Sequence, residues 1–292
     1  MQTIAYISIS GLCTGCIYGL IALAFTIIFN STKIVNFAQG QFFMSGAMLA
    51  NLFMVKMGLN RWLSLLLVVL CMCVIGALFK FGIFDYLMGK GAHSYHIVIT
   101  TLGLGIVMEQ IFAVFFGKDQ YHVPTLFDGE SIPLRFLGVK ITSTNYIIMG
   151  VTIILIVFTW LFLNKSSTGK AIQAIGFNKE AAQLVGLRTS TLVFITFMLC
   201  SAVSGIGGTI MASQLSAYSY MGSILGVKGF AATILGGMGN AFAGFVGGLI
   251  IGLIESFSAY FISSTYASLI VYAILLLMLI IKPTGLWPAK GA

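Results

Sequence analysis

Eight apolar stretches fill most of this chain: residues 4–29, 36–55, 62–88, 95–117, 145–163, 191–213, 240–262 and 266–281. Most approach or exceed the roughly 20 residues a helix needs to cross a hydrocarbon layer about 30 Å thick. Lipid offers the backbone no hydrogen-bond partner, so stretches of this kind must be helices. Composition agrees: 59% of the 292 residues are hydrophobic and 8% are charged, with a mean hydropathy of +1.05. A soluble domain carries about 25% charged residues. The expectation is an all-α, polytopic helical membrane protein with eight full spans, forming one transmembrane domain over residues 1–292. The first stretch has no basic segment before it and exceeds a signal-peptide core, so it reads as a retained span.

Between residues 213 and 240 the pattern fails. The apolar part, Gly229 to Leu235, is too short to cross alone; Lys228 opens it, and Gly236, Gly237 and Gly239 close it. A broken or half-helix segment is expected there, tolerated at membrane depth where it packs on protein or lines a cavity.

Basic residues set the orientation. Segment 164–190 places Lys165, Lys170, Lys179 and Arg188 against one acid, Glu180, and Lys282 and Lys290 follow the last stretch. Loop 118–144 balances Lys118, Arg135 and Lys140 against Asp119, Asp128 and Glu130. The positive-inside rule then puts 164–190 and the C-terminus in the cytoplasm and 118–144 outside. This holds only if the broken segment counts as a crossing, and it leaves the N-terminus outside. Lys56 and Arg61 fall on the outer side, against the rule. The net charge of +8 is scattered rather than gathered on a soluble basic face, which argues against a nucleic-acid partner.

The four prolines (Pro124, Pro133, Pro283, Pro288) lie outside the apolar stretches. Gly11, Gly15 and Gly19 recur every four residues, as do Gly248 and Gly252, giving small faces on which helix backbones approach closely. Cys13-x-x-Cys16 and Cys71-x-Cys73 lie in apolar stretches without a histidine or further cysteine beside them. His93, His96 and His122 lack a Glu or Cys companion, so no metal site is expected.

Against this apolar background, 164–190 is a polar, helix-forming island. Thr168 to Ile175 reads as a helix ended by Gly176; Asn178 then caps a second helix with Glu180 in its first turn, and Gly186 closes it. Ala181, Ala182 and Val185 are expected to face one way. Such a stripe is too weakly apolar to anchor in lipid, and a protein groove suits it better. The string Thr168-Gly169-Lys170-Ala171 lacks the earlier glycine and the following Ser or Thr of a phosphate loop. No ATP site, catalytic residue or other enzymatic centre is expected in this chain.

Glu180-Ala181-Ala182-x3-Gly186 resembles the EAA–x3–G loop of the membrane subunits of ABC importers. Residues 11–50, Thr100-Thr101-Leu102-Gly103, 228–256 and Lys282-Pro283-Thr284-Gly285-Leu286 resemble, in order, the signatures of branched-chain amino-acid importer permeases of the LivH type. These blocks cover about half the chain. That resemblance implies a coupling helix seated on a cytoplasmic ATPase, with Gly169, Lys170, Asn178, Glu180, Ala181, Ala182 and Gly186 at the interface. It also implies two ATP-binding subunits that hold ATP and Mg, a paralogous second permease, and an extracellular or periplasmic solute-binding protein. The location implied is the bacterial or archaeal plasma (inner) membrane. Two departures stand out. Family members often have His and Glu where this chain has Gln39 and Gln41, so no role for charge is carried over there. The turn from Gly239 to Phe242 lacks the proline often found nearby.

The pathway candidates are polar groups within apolar stretches. Glu109 and Glu255 are costly there and are either functional or paired between helices. Asn36, Gln39 and Gln41 either line a central passage or cap a helix; Thr100 and Thr101 either touch substrate or satisfy backbone groups. No strongly charged constellation appears, which fits a neutral or zwitterionic solute with an apolar side chain. The alternatives are a proton- or ion-coupled secondary transporter using Glu109 or Glu255, and an ABC permease for urea or short-chain amides. Only an ABC permease needs the island.

Overall fold

The computed structural model describes residues 2–91, 93–126, 134–136, 139–141 and 143–287. Asp128, Glu130, Pro133, Pro288 and Lys290 lie outside these, and Arg135 and Lys140 are described by backbone only. Among the described residues, seven helices are long and apolar enough to cross a membrane, where the sequence suggests eight. They are α1 (Gln2–Thr32), α3 (Arg61–Phe79, carried on through a π turn at Lys80–Phe84 into α4, Asp85–Gly89), α5 (Ser94–Phe116), α6 (Ser143–Lys165), α9 (Thr189–Leu215), α11 (Ala241–Phe261) and α12 (Ser264–Ile281).

The expected span 36–55 is the one that differs. It becomes the 13-residue helix α2 (Gln39–Asn51), followed by a π turn at Leu52–Lys56. Its polar residues Gln39, Gln41, Ser45 and Asn51 are all buried, along with Phe42, Phe43, Met44 and Met48. A helix with polar groups all round cannot face lipid, so α2 is enclosed by protein.

The expected broken or half-helix segment is present as a short apolar helix, and only its start differs. Residues 221–236 form a single 16-residue helix, α10 (Met221–Gly236), with Lys228 in its middle rather than at its start. The charge does not end the helix because a carboxylate neutralises it there. Gly236 is the last helical residue, and Gly237 and Gly239 adopt φ of 130° and 93°, which glycine alone takes readily. Loop 118–144 holds a feature absent from the expectation: short antiparallel strands β1 (Leu134–Phe136) and β2 (Val139–Ile141).

At the centre stands α1, with 83% of its apolar stretch buried against 11% for α12. The glycine ladders meet each other. A side chain at Gly15 would lie 2.7 Å from the Leu249 Cα, and one at Gly252 would strike the Gly15 backbone, so α1 and α11 pack backbone to backbone. Glycine serves α2 similarly, with Gly40 seated on Gly222 and Gly226 of α10.

The two ends of the bundle differ. One gathers α7 (Ser167–Phe177) and α8 (Lys179–Leu184) with residues 30–33 and 239–242. The tail belongs to this end, since the Leu286 and Trp287 N–H groups donate to the Leu235 and Gly236 carbonyls at 2.9 and 2.8 Å. At the other end, Tyr121 pairs with Ala217, and Lys56 lies over the Phe116 and Tyr121 rings.

Candidate functional site

Among the described residues, polar side chains from different helices meet at three places inside the bundle that bear on function. The first joins α2, α5 and α10. Gln41 Nε2 donates to Glu109 Oε2 at 3.1 Å and to Ser223 Oγ at 3.0 Å, and the Ser223 hydroxyl donates to the same Glu109 oxygen. The Gln41 side-chain Oε1 is buried without a partner. Beside this cluster, α10 shows an exposed face of Ser223, Ile224 and Val227. Two of the pathway candidates, Gln41 and Glu109, are thus brought together.

The other candidates nearby have hydrogen-bond partners within the fold. Gln39 is fully buried: its Nε2 donates to Ser204 Oγ at 2.7 Å, and its Oε1 accepts from the Cys200 thiol, which fastens α2 to α9. Asn36 Oδ1 accepts from the Ala38 N–H at 3.1 Å, turning the chain into α2. Thr100 donates to the His96 carbonyl. Thr101 donates to the Val98 carbonyl and accepts from the Phe37 N–H. Each of these is bonded within the fold, although α2 has no side-chain cap and the Asn36 Nδ2 is buried without a partner.

The second cluster is an ion pair. Lys228 Nζ lies 2.5 Å from Glu255 Oε1, and the Tyr18 hydroxyl donates to Glu255 Oε2 at 2.7 Å, so α1, α10 and α11 are tied at one point. The third lies by the π turn after α3: Lys80, 1% exposed, donates to Asp85 Oδ2 and to Ser190 Oγ, both at 2.7 Å. That contact reaches the first turn of α9, immediately after the polar island.

The island is built as two short helices. Ser166 Oγ accepts from the Gly169 N–H and starts α7; Asn178 Oδ1 accepts from the Ala181 N–H at 2.9 Å and caps α8. Gly186 follows with φ of 85°. Three expectations are revised. The first helix runs through Gly176 to Phe177, and Gly176 is small because α7 abuts the Asn30 carbonyl. Gly169 is buried against Phe162 and Leu163 of α6 rather than presented outward. Ala182 points inward at 6% exposure, so it does not share a face with Val185. The exposed stripe is Ala181, Leu184 and Val185, three and four residues apart, with Phe177 nearby. Lys170, Asn178 and Glu180 are exposed with it.

Sequence reasoning missed Tyr18, Ser190, Ser223 and the outward side chain of Leu184. One signal was present: Lys228 and Glu255 are opposite charges in neighbouring apolar segments, and burial of either requires a partner. Among the described residues, no group of three metal-ligating side chains occurs.

Comparison with known proteins places this architecture. The family model "Branched-chain amino acid transport system / permease component" matches residues 7–280. The permease LivH of a high-affinity branched-chain amino acid transport system in Salmonella typhimurium is 26% identical, covering 95% of this chain and 93% of its own. A probable LivH of Methanocaldococcus jannaschii is 26% identical, covering 91% of this chain and 87% of its own. LivM, the permease of the same name series in Salmonella typhimurium, is 25% identical, covering 93% of this chain and 68% of its own. Seven long apolar helices, a buried polar interior and a family match across nearly the whole length lead to one conclusion: this chain is a multi-pass membrane protein of the branched-chain amino-acid ABC transport permease family, a transmembrane component and not an ATPase.

Proposed function

We propose that this chain translocates branched-chain amino acids as one of two paralogous permeases in an ATP-driven importer, receiving them from an extracellular solute-binding protein. One observation carries the reading: on the charged loop between α6 and α9, the capped helix α8 ends on Leu184 and is followed by Val185, at 90% and 82% exposure. Apolar side chains that open to water lower their free energy in a protein groove, and a helix face is a common guest there. The groove would belong to an ATPase, whose ATP and Mg supply the energy.

The packing suggests how movement spreads. Gly176 of α7 abuts the end of α1, Gly169 abuts α6, and Gln173 Nε2 donates to the Leu163 carbonyl at 3.0 Å. A displacement of α8 is therefore passed to α1 and α6 as rigid bodies, and α1 carries α11 with it through the glycine ladder. The face with Ser223, Ile224 and Val227, beside Glu109 and Gln41, would line the pathway against the second permease. Similarity to both LivH and LivM supports a paralogous partner over a second copy.

The test is uptake of labelled leucine, isoleucine and valine by cells lacking and regaining the chain, with urea and amides as competitors. Uptake should depend on the chain and resist urea. Substituting Leu184→Asp with Val185→Asp should abolish uptake while the protein remains in the membrane. Uptake that survives this double substitution would reject the coupling role.

A further inference from the structure

A cavity of about 430 Å3 lies between α1, α10 and α11, at the end of the bundle with Gln120 and Tyr218 and away from α8. Small-molecule sites span about 300–1,000 Å3, so the space suits a small solute. Its lining joins the Lys228–Glu255 pair and Tyr18 to the apolar side chains of Met221, Ile224 and Leu225.

The pair is not spent on itself. Nζ of Lys228 has three protons, of which Glu255 Oε1 takes one; the Tyr18 ring lies 5.6 Å from the ammonium. Tyr18 donates to the other carboxylate oxygen, which keeps a lone pair free. Both side chains reach the cavity, with 8% exposure at Lys228 and 17% at Glu255. An ion pair sealed in low dielectric repays its desolvation only in part, so a buried pair is poorly explained by stability alone; this one stands at the wall of a cavity, within reach of a ligand.

We propose that this cavity is a subsite for a zwitterionic amino acid with an apolar side chain, an inference that takes its cargo from the transport reading above. The ligand carboxylate accepts from Lys228, the ligand ammonium donates to Glu255, and the Tyr18 bond stays in place. The side chain lies on Met221, Ile224 and Leu225. A ligand with one charge removed leaves one pole of the pair without its counterpart, so the site selects for both charges together.

The test uses the full chain in lipid nanodiscs and reads binding by saturation-transfer NMR. The probes are leucine, N-acetyl-leucine, leucinamide and N-acetyl-leucinamide. The wild type should favour leucine over N-acetyl-leucinamide by about tenfold or more, as expected for two charge-assisted hydrogen bonds. The variant K228M/E255M replaces the pair with apolar side chains of similar volume and should fold, with thermal unfolding as the check. It should bind all four probes alike. A variant that is folded and keeps the wild-type preference overturns the subsite, as does a wild type without any preference. Uptake separates the two claims. Chain-dependent leucine uptake with a preference indifferent to K228M/E255M would remove the subsite and leave the transport reading. Pair-dependent leucine binding without branched-chain uptake would do the reverse.

Discussion

Among the described residues, two buried lysines lie inside the apolar body of this protein, and each is neutralised by a nearby carboxylate, Lys228 by Glu255 and Lys80 by Asp85. A single uncompensated charge at such a position costs several kcal/mol, whereas an apolar pair in the same space is often neutral. Lys228→Met alone should therefore destabilise by about 3–5 kcal/mol, and K228M/E255M should recover most of that loss. Thermal unfolding of the two single variants and the double variant reads this directly; a double loss equal to the sum of the two single losses would mean that the pair is not coupled. Neighbouring residues divide as sharply. Gln41 and Gln39 stand two positions apart on α2, yet one meets Glu109 and Ser223 while the other is spent on Ser204 and Cys200. Sequence marks both as polar groups in an apolar stretch and cannot say which helix each one faces.

At the scale of elements, the seven long helices were legible because about 20 apolar residues in a row have one stable form in lipid. The glycine spacing on α1 and α11 was legible for a similar reason, since small residues at every fourth position serve close packing. Gly15→Leu should disrupt that contact by at least the roughly 1–3 kcal/mol of an overpacked core, whereas Gly150→Leu, with open space around the glycine, should change little. Fluorescence-detected size exclusion after heating compares the two; equal survival would contradict the packing. The short span expected at α2 and the start expected for α10 at Lys228 differ for a shared reason. Their polar residues are satisfied by partners far along the chain, Ser204 for Gln39 across 165 positions and Glu255 for Lys228 across 27, and no local pattern records such partners. On α8 the cap and the closing glycine were readable, but the inward turn of Ala182 depended on how α7 and α9 hold the helix.

The molecule as a whole joins a glycine-zipped core to an exposed helix at one end and a charged cavity towards the other. Its sidedness is testable by cysteine labelling, as the five native cysteines are buried or half-buried. An impermeant maleimide should label Asp119→Cys in intact cells and Lys179→Cys only after permeabilisation; labelling of Lys179→Cys in intact cells, with Asp119→Cys reached only after permeabilisation, would reverse the orientation proposed from the basic residues. The central claim is that α8 grips an ATPase. The most direct measurement is purification of the tagged chain from its native membrane in mild detergent, with and without the Leu184→Asp and Val185→Asp substitutions, and identification of every copurifying protein. The account predicts ATPase subunits and a second permease with the wild type, and loss of the ATPases alone with the variant. A chain recovered without ATPases in both forms, and still transporting, would contradict it.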